Sequence, residues 1–128
     1  MRWLVDTSVL IDHLRGDPRA ARALADAVAD GCELWSVTVV RTEILAGLRR
    51  GEESATRKLL DHLHWIDVTV DLADRAGELA RKYLRSHPGI DTVDYLIAAA
   101  AESVGAELKT QNVKHFPMIA GLRPAYPG

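Results

Sequence analysis

Residues 2–14 read Arg2-Trp3-Leu4-Val5-Asp6-Thr7-Ser8-Val9-Leu10-Ile11-Asp12-His13-Leu14. A short apolar run ends at a polar triplet, and Val9, Leu10, His13 and Leu14 then recur at helical spacing. The stretch therefore predicts a buried strand feeding directly into a helix, with Asp6 at the junction. If that unit repeats along the chain, the strands run parallel, because each helix carries the chain back to the sheet's starting edge.

The repeat is there. Asp17-Pro18 supplies an N-cap and a proline in the first helical turn, and Gly31 closes the segment, so residues 18–30 read as a helix. Residues 32–37 have strand composition, and Ser36 or Thr38 can cap a following helix that carries Val39, Val40, Glu43, Ile44 and Leu48. After Gly51, Leu59, Leu60 and Leu63 mark another amphipathic stretch, which precedes a short strand over 65–68. Asp71 is expected to cap a helix with Leu72, Ala76, Leu79, Ala80 and Tyr83 on one face, broken at His87-Pro88-Gly89. Asp91-Thr92-Val93-Asp94 opens a segment running from Tyr95 to Val104, apolar nearly all round and so expected to be a central buried helix with Gly105 behind it. Residues 106–110 give a fourth strand, Gln111 to His115 a polar turn, and 122–126 a last short strand. The expected fold class is α/β, a small, mainly parallel sheet between two helical layers, formed by residues 1–128 as one domain.

Composition narrows the function. The chain has 128 residues, with 16 basic and 18 acidic side chains and a formal charge of −2, so no global positive field advertises nucleic acid and any RNA surface must be local. Cys32 is the one cysteine, which excludes an internal disulfide. Without a signal-like segment or a membrane-length apolar run, a soluble cytoplasmic protein is expected. No G-x-x-x-x-G-K, G-x-G-x-x-G or G-x-S-x-G pattern supports nucleotide-fuelled, dinucleotide-dependent or serine-hydrolase chemistry. His62-x-His64 is a poor zinc pair, since helical residues two apart do not share a face.

In a parallel α/β sheet, ligands collect beyond the carboxyl ends of the strands. Asp6, Glu43 and Asp94 all fall there, and Asn112 joins them after the fourth strand. Three carboxylates together raise one another's pKa unless a cation neutralises them, and hard oxygen donors favour Mg²⁺ or Mn²⁺. Such a site suits metal-assisted phosphodiester hydrolysis. Each acid also has a structural reading: Asp6 as a helix cap, Asp91 in a capping arrangement with Asp94, and Glu43 in a salt bridge with Arg41 or Arg49. Asp94 is hardest to explain structurally, because it leads an apolar helix inward.

In order and spacing, the segments Leu4 to Asp12, Ser36 to Gly47, Asp94 to Ala99 and Lys109 to Phe116 resemble the PIN domains, and more narrowly the VapC toxins of bacterial toxin-antitoxin pairs. The resemblance spans nearly the whole chain. It implies that Asp6, Glu43 and Asp94 are metal ligands and that Thr7 or Ser8 hydrogen-bonds a ligand carboxylate or water. It further implies an endoribonuclease acting on RNA, a homodimer, and a VapB-like antitoxin as partner. Many family members carry a fourth acid where this chain has Asn112, which puts a second metal in doubt; Asn112 stays a secondary site residue, and Asp91 can partly compensate. Candidate phosphate-binding residues are Arg15, Arg41, Arg49, Arg50, Lys109, Lys114 and His115. Two other readings compete: a receiver-like Mg²⁺-binding signalling module, and a PIN-like fold that has lost catalysis and serves as an RNA-binding or scaffold domain.

Overall fold

A computed structural model describes residues 1–127. The chain begins as expected, with strand β1 (Arg2–Val5) running into helix α1 (Thr7–Leu14), then α2 (Pro18–Ala29) and β2 (Glu33–Val37). Helices α3 (Thr38–Ala46) and α4 (Glu53–Asp61) lead to β3 (His64–Ile66), and α5 (Val70–Tyr83) and α6 (Thr92–Ser103) lead to β4 (Glu107–Lys109). A 3-10 turn follows at Val113–His115.

All pairings are parallel, and the strand order is β3-β2-β1-β4. From β1 the chain steps outward to β2 and β3, then returns on the opposite side of β1 to form β4. Because parallel crossovers are right-handed, the change of direction puts α5 and α6 on the sheet face opposite α1 to α4, giving three layers. The crevice between β1 and β4, where the order reverses, is where such sheets bind ligands. The receiver-like reading does not fit this topology. Doubly wound receivers order their strands 2-1-3-4-5, whereas this sheet runs β3-β2-β1-β4.

The sheet core consists of Leu4, Val5, Leu34, Val37 and Leu108, covered by Val9, Leu10, Val40, Ile44, Ile97, Ala98 and Ala101. The alanines of α6 let its backbone lie close to the sheet, which is why that segment is apolar nearly all round.

Several boundaries depart from the sequence expectation. β3 begins one residue earlier and ends two residues earlier than residues 65–68, and β4 is shorter than 106–110. α5 starts before Asp71, capped by the Thr69 hydroxyl, which accepts from the Leu72 N–H at 3.2 Å. Neither Ser36 nor Thr38 caps α3: its N-cap is Val37, and the buried Ser36 hydroxyl instead donates to the Val5 carbonyl at 2.9 Å, fastening β2 to β1. Residues 122–126 form no strand. Ala125 donates one backbone bond to the Thr110 carbonyl (3.0 Å), and the positions a ladder would use next to it are taken by the Gln111 side chain.

Candidate metal centre at the sheet's carboxyl edge

One cavity of about 420 Å³ opens at the β1–β4 switch point. Its lining includes Asp6, Asp12, Glu43, Asp91 and Asp94, with Thr7, Ser8, Asn112 and His115, and no Lys or Arg. The three expected ligands and all four secondary residues thus meet at one site.

Asp6 is where strand geometry and helix geometry coincide. Its backbone N–H donates to the Lys109 carbonyl as the last rung between β1 and β4 (3.0 Å), and its extended conformation makes it the N-cap of α1. Oδ1 accepts from the Thr7 N–H (2.7 Å), while Oδ2 accepts from the Ser8 hydroxyl (3.0 Å) and the Thr110 hydroxyl (2.6 Å). The cap and the site residue are therefore one side chain. Asp6 is 4% exposed, and both of its carboxylate oxygens are hydrogen-bonded, as a buried charge requires.

Glu43 lies on the exposed side of α3, where the Thr7 hydroxyl donates to Oε1 at 2.7 Å. The expected salt bridge does not form among the described residues, and Arg41 lies over the Trp65 ring instead. Asp94 sits in the first turn of α6 and forms a reciprocal capping box with Asp91. The Asp94 N–H donates to Asp91 Oδ1 (3.1 Å), and the Asp91 N–H donates to Asp94 Oδ2 (3.3 Å). His115 Nδ1 lies 3.3 Å from the same Oδ2. Burial raises the Asp94 carboxyl from its ordinary 3.8 to about 6; the Asp91 backbone bond and His115 oppose the rise, and the Asp91 and Asp6 charges add to it.

Among the described residues, no three His, Cys, Asp or Glu side chains stand close enough together to enclose an ion. The inward oxygens are instead held by the hydroxyl and backbone donors just named. The donor set nonetheless suits a hard divalent cation. It is all oxygen save one imidazole, and Asp94 Oδ1 and Glu43 Oε2 have no hydrogen-bond partner among the described residues. An acidic, partly desolvated pocket with free carboxylate oxygens and no Lys or Arg in its lining is one that Mg²⁺ or Mn²⁺ would neutralise.

Of the candidate phosphate ligands, His115 lines the cavity and Lys114 is exposed beside it on the 3-10 turn. Lys109 turns away, bonding Glu107 at 2.9 Å and lying over the Trp3 ring. Arg41 is committed to Trp65, and Arg15 pairs with Glu52 at 2.7 Å. Sequence reasoning did not identify Thr110, Asp12, Gln111 or Tyr126. Thr110 stands two residues before Asn112, in a segment the resemblance already covered, but nothing in a linear chain indicates that its hydroxyl faces a residue 104 positions away.

The PIN domain model matches residues 3–121. Ribonuclease VapC19 of Mycobacterium tuberculosis is 49% identical over 123 residues, covering 96% of this chain and 98% of that protein. Ribonuclease VapC10 of the same organism is 43% identical over 124 residues, covering 96% and 92%. Among solved structures, a toxin-antitoxin complex from Klebsiella pneumoniae superposes with a TM-score of 0.78 at 28% identity, over 96% of this chain and 97% of that one. With its fold, its sequence and nearly its whole length in agreement, the chain belongs to the PIN domain family, among the VapC proteins.

Proposed function

We propose that the chain is an endoribonuclease, the toxin of a toxin-antitoxin pair, and that it uses Mg²⁺, replaceable by Mn²⁺, held by Asp6, Glu43 and Asp94. The observation that carries this reading is the lining of one cavity at the sheet's switch point by five carboxylates and no Lys or Arg. The kinship with proteins named ribonucleases supports the substrate class.

Bound there, Mg²⁺ would supply neutralisation of the phosphodiester's charge and would acidify the attacking water. The chain's own residues do the positioning. Asp6 offers a carboxylate fixed by three donors, so it costs little further order to engage. Thr7 links α1 to α3 by steering Glu43 across the cavity. Asp94 closes the third side from the start of α6, and burial makes its charge depend on a neutralising partner. Asn112 presents a neutral amide where a further acid would stand, and Asp91 spends one carboxylate oxygen on the α6 cap. No Ser, Thr or Cys is needed as nucleophile.

The partner in this reading is a VapB-like antitoxin, supported by the similarity to the Klebsiella toxin-antitoxin complex. We further propose that an antitoxin Arg enters the acidic cavity, where a guanidinium would take the cation's place. A homodimer acting in the cytoplasm completes the reading; no described helix is long and apolar enough to cross a membrane. The test is incubation of purified protein with total cellular RNA in Mg²⁺, in Mn²⁺ and in EDTA. Fragmentation with either metal, abolished by EDTA and restored by added metal, is expected. Absence of cleavage in every condition would overturn the reading in favour of a non-catalytic RNA-binding or scaffold domain.

A further inference from the structure

Asp6 Oδ2 is held by the Ser8 and Thr110 hydroxyls, and both of these are themselves held by one turn. The Gln111 N–H donates to Ser8 Oγ (3.1 Å) and the Asn112 N–H donates to Thr110 Oγ1 (2.9 Å). Each hydroxyl, by accepting from the 110–112 turn, directs its own proton at the carboxylate. The aim of Asp6 therefore depends on where that turn sits.

The turn is gripped by a segment, residues 125–127, that does not itself line the cavity. The Gln111 side-chain amide pairs with the Tyr126 backbone in both directions: Nε2 donates to the Tyr126 carbonyl and the Tyr126 N–H donates to Oε1, each at 3.2 Å. Ala125 adds its backbone bond to the Thr110 carbonyl. Tyr126 is in turn anchored to the first helices. The residue is 6% exposed, its hydroxyl donates to Asp12 Oδ2 on α1, the Arg19 guanidinium lies 5.5 Å from the ring centroid, and Arg19 Nη1 donates to the Pro127 carbonyl at 2.8 Å. Burial, and then the bond to Asp12, raise the phenol well above its ordinary range, so it remains a donor.

We propose that Gln111 and Tyr126 are positioning residues for Asp6: the 125–127 segment is a strap that ties the 110–112 turn to α1 and α2, so that Thr110 and Ser8 hold Asp6 Oδ2 in one orientation. The inference rests on reading the cavity as a metal centre. It concerns residues that act on Asp6 through others: Gln111 reaches Asp6 Oδ2 through Ser8, and Tyr126 reaches it through Gln111. Supports of this kind to a metal ligand typically carry about 10- to 100-fold in metal affinity or activity. Tyr126 also keeps Asp12 occupied, which holds that carboxylate of the cavity lining out of competition for the cation.

The test is Mn²⁺ binding, by calorimetry and by the Mn²⁺ electron paramagnetic resonance spectrum, at a temperature where circular dichroism shows every variant folded. Gln111→Leu keeps the side chain's bulk and removes its amide. Tyr126→Phe removes only the hydroxyl. Leu24→Ala, in the α2 core, serves as a variant that is destabilised away from the turn. About tenfold weaker Mn²⁺ binding in Gln111→Leu, a smaller loss in Tyr126→Phe, an altered Mn²⁺ spectrum and unchanged affinity in Leu24→Ala are expected. In RNA cleavage Gln111→Leu and Tyr126→Phe should lose kcat and keep KM, and Leu24→Ala should keep both. Wild-type affinity in Gln111→Leu would overturn the strap and leave the metal centre standing. Equal weakening in Leu24→Ala would reduce the effect to general destabilisation and overturn it likewise. Failure of the wild-type protein to bind Mn²⁺ would remove the metal centre, and the strap's role with it.

Discussion

Asp94 combines burial with a carboxyl raised to about 6, and the sign of the linkage follows. Between pH 4 and 6 the folded protein retains a proton that the unfolded chain has released, so stability falls as pH rises through that window. The full effect, from a shift of about two units, is about 3 kcal/mol. Asp94→Asn removes it. In EDTA this variant is expected to melt several degrees above wild type at pH 7, with the difference closing as pH approaches 4, as followed by thermal unfolding across pH. A pH-independent difference would mean that the carboxylate is not desolvated. Thr110 makes the opposite case, since its hydroxyl donates to a charged, buried acceptor. Thr110→Val is expected to lower stability by about 2 kcal/mol in urea unfolding, the usual worth of a hydrogen bond to a charged group.

At the scale of elements, α6 shows how far a cap and a ligand can be the same feature. The capping box joins Asp91 and Asp94, yet the two roles separate by substitution. Asparagine is as good an N-cap as aspartate, whereas alanine is not. Asp91→Asn should therefore keep wild-type stability and cleavage within a few-fold, while Asp91→Ala should lose about 1 kcal/mol by urea unfolding. Loss of cleavage in Asp91→Asn would instead make Asp91 a ligand. The helices were legible in the sequence because their signals are local: Asp17-Pro18 opens α2 and Asp91 opens α6, both with the side-chain caps expected of them. The short strands were less legible. β3 and β4 have three residues each, too few for a periodic pattern. Residues 122–126 look like a strand in composition, but the amide of Gln111 substitutes for the neighbouring backbone.

In the molecule as a whole, the strand order concentrates the chemistry. Asp6 follows β1, Thr110 follows β4, and the switch point between them is where two chain segments more than a hundred residues apart close on one cavity. The placement of the three acids and their secondary residues at that edge could be foreseen, because each lies just after a strand or within the first two turns of a helix that starts there. The basic residues could not. Lys109 lies one residue from the edge, but its side chain runs back to Glu107 and Trp3, and Arg41 packs on Trp65. Side-chain direction of that kind has no signature in sequence. Nor has the strap, since Tyr126 meets Asp12 only when the fold is complete. Asp6, Glu43 and Asp94 are proposed to form one metal-dependent hydrolytic site. The most direct measurement is cleavage of total RNA, with Mg²⁺ and with EDTA, by wild type and by Asp6→Asn, Glu43→Gln and Asp94→Asn, each shown to be folded by circular dichroism. Metal-dependent cleavage by wild type, reduced at least about a hundredfold in all three variants, is the predicted result, since each substitution removes a negative ligand. Cleavage that persists in the variants, or that proceeds equally in EDTA, would contradict it.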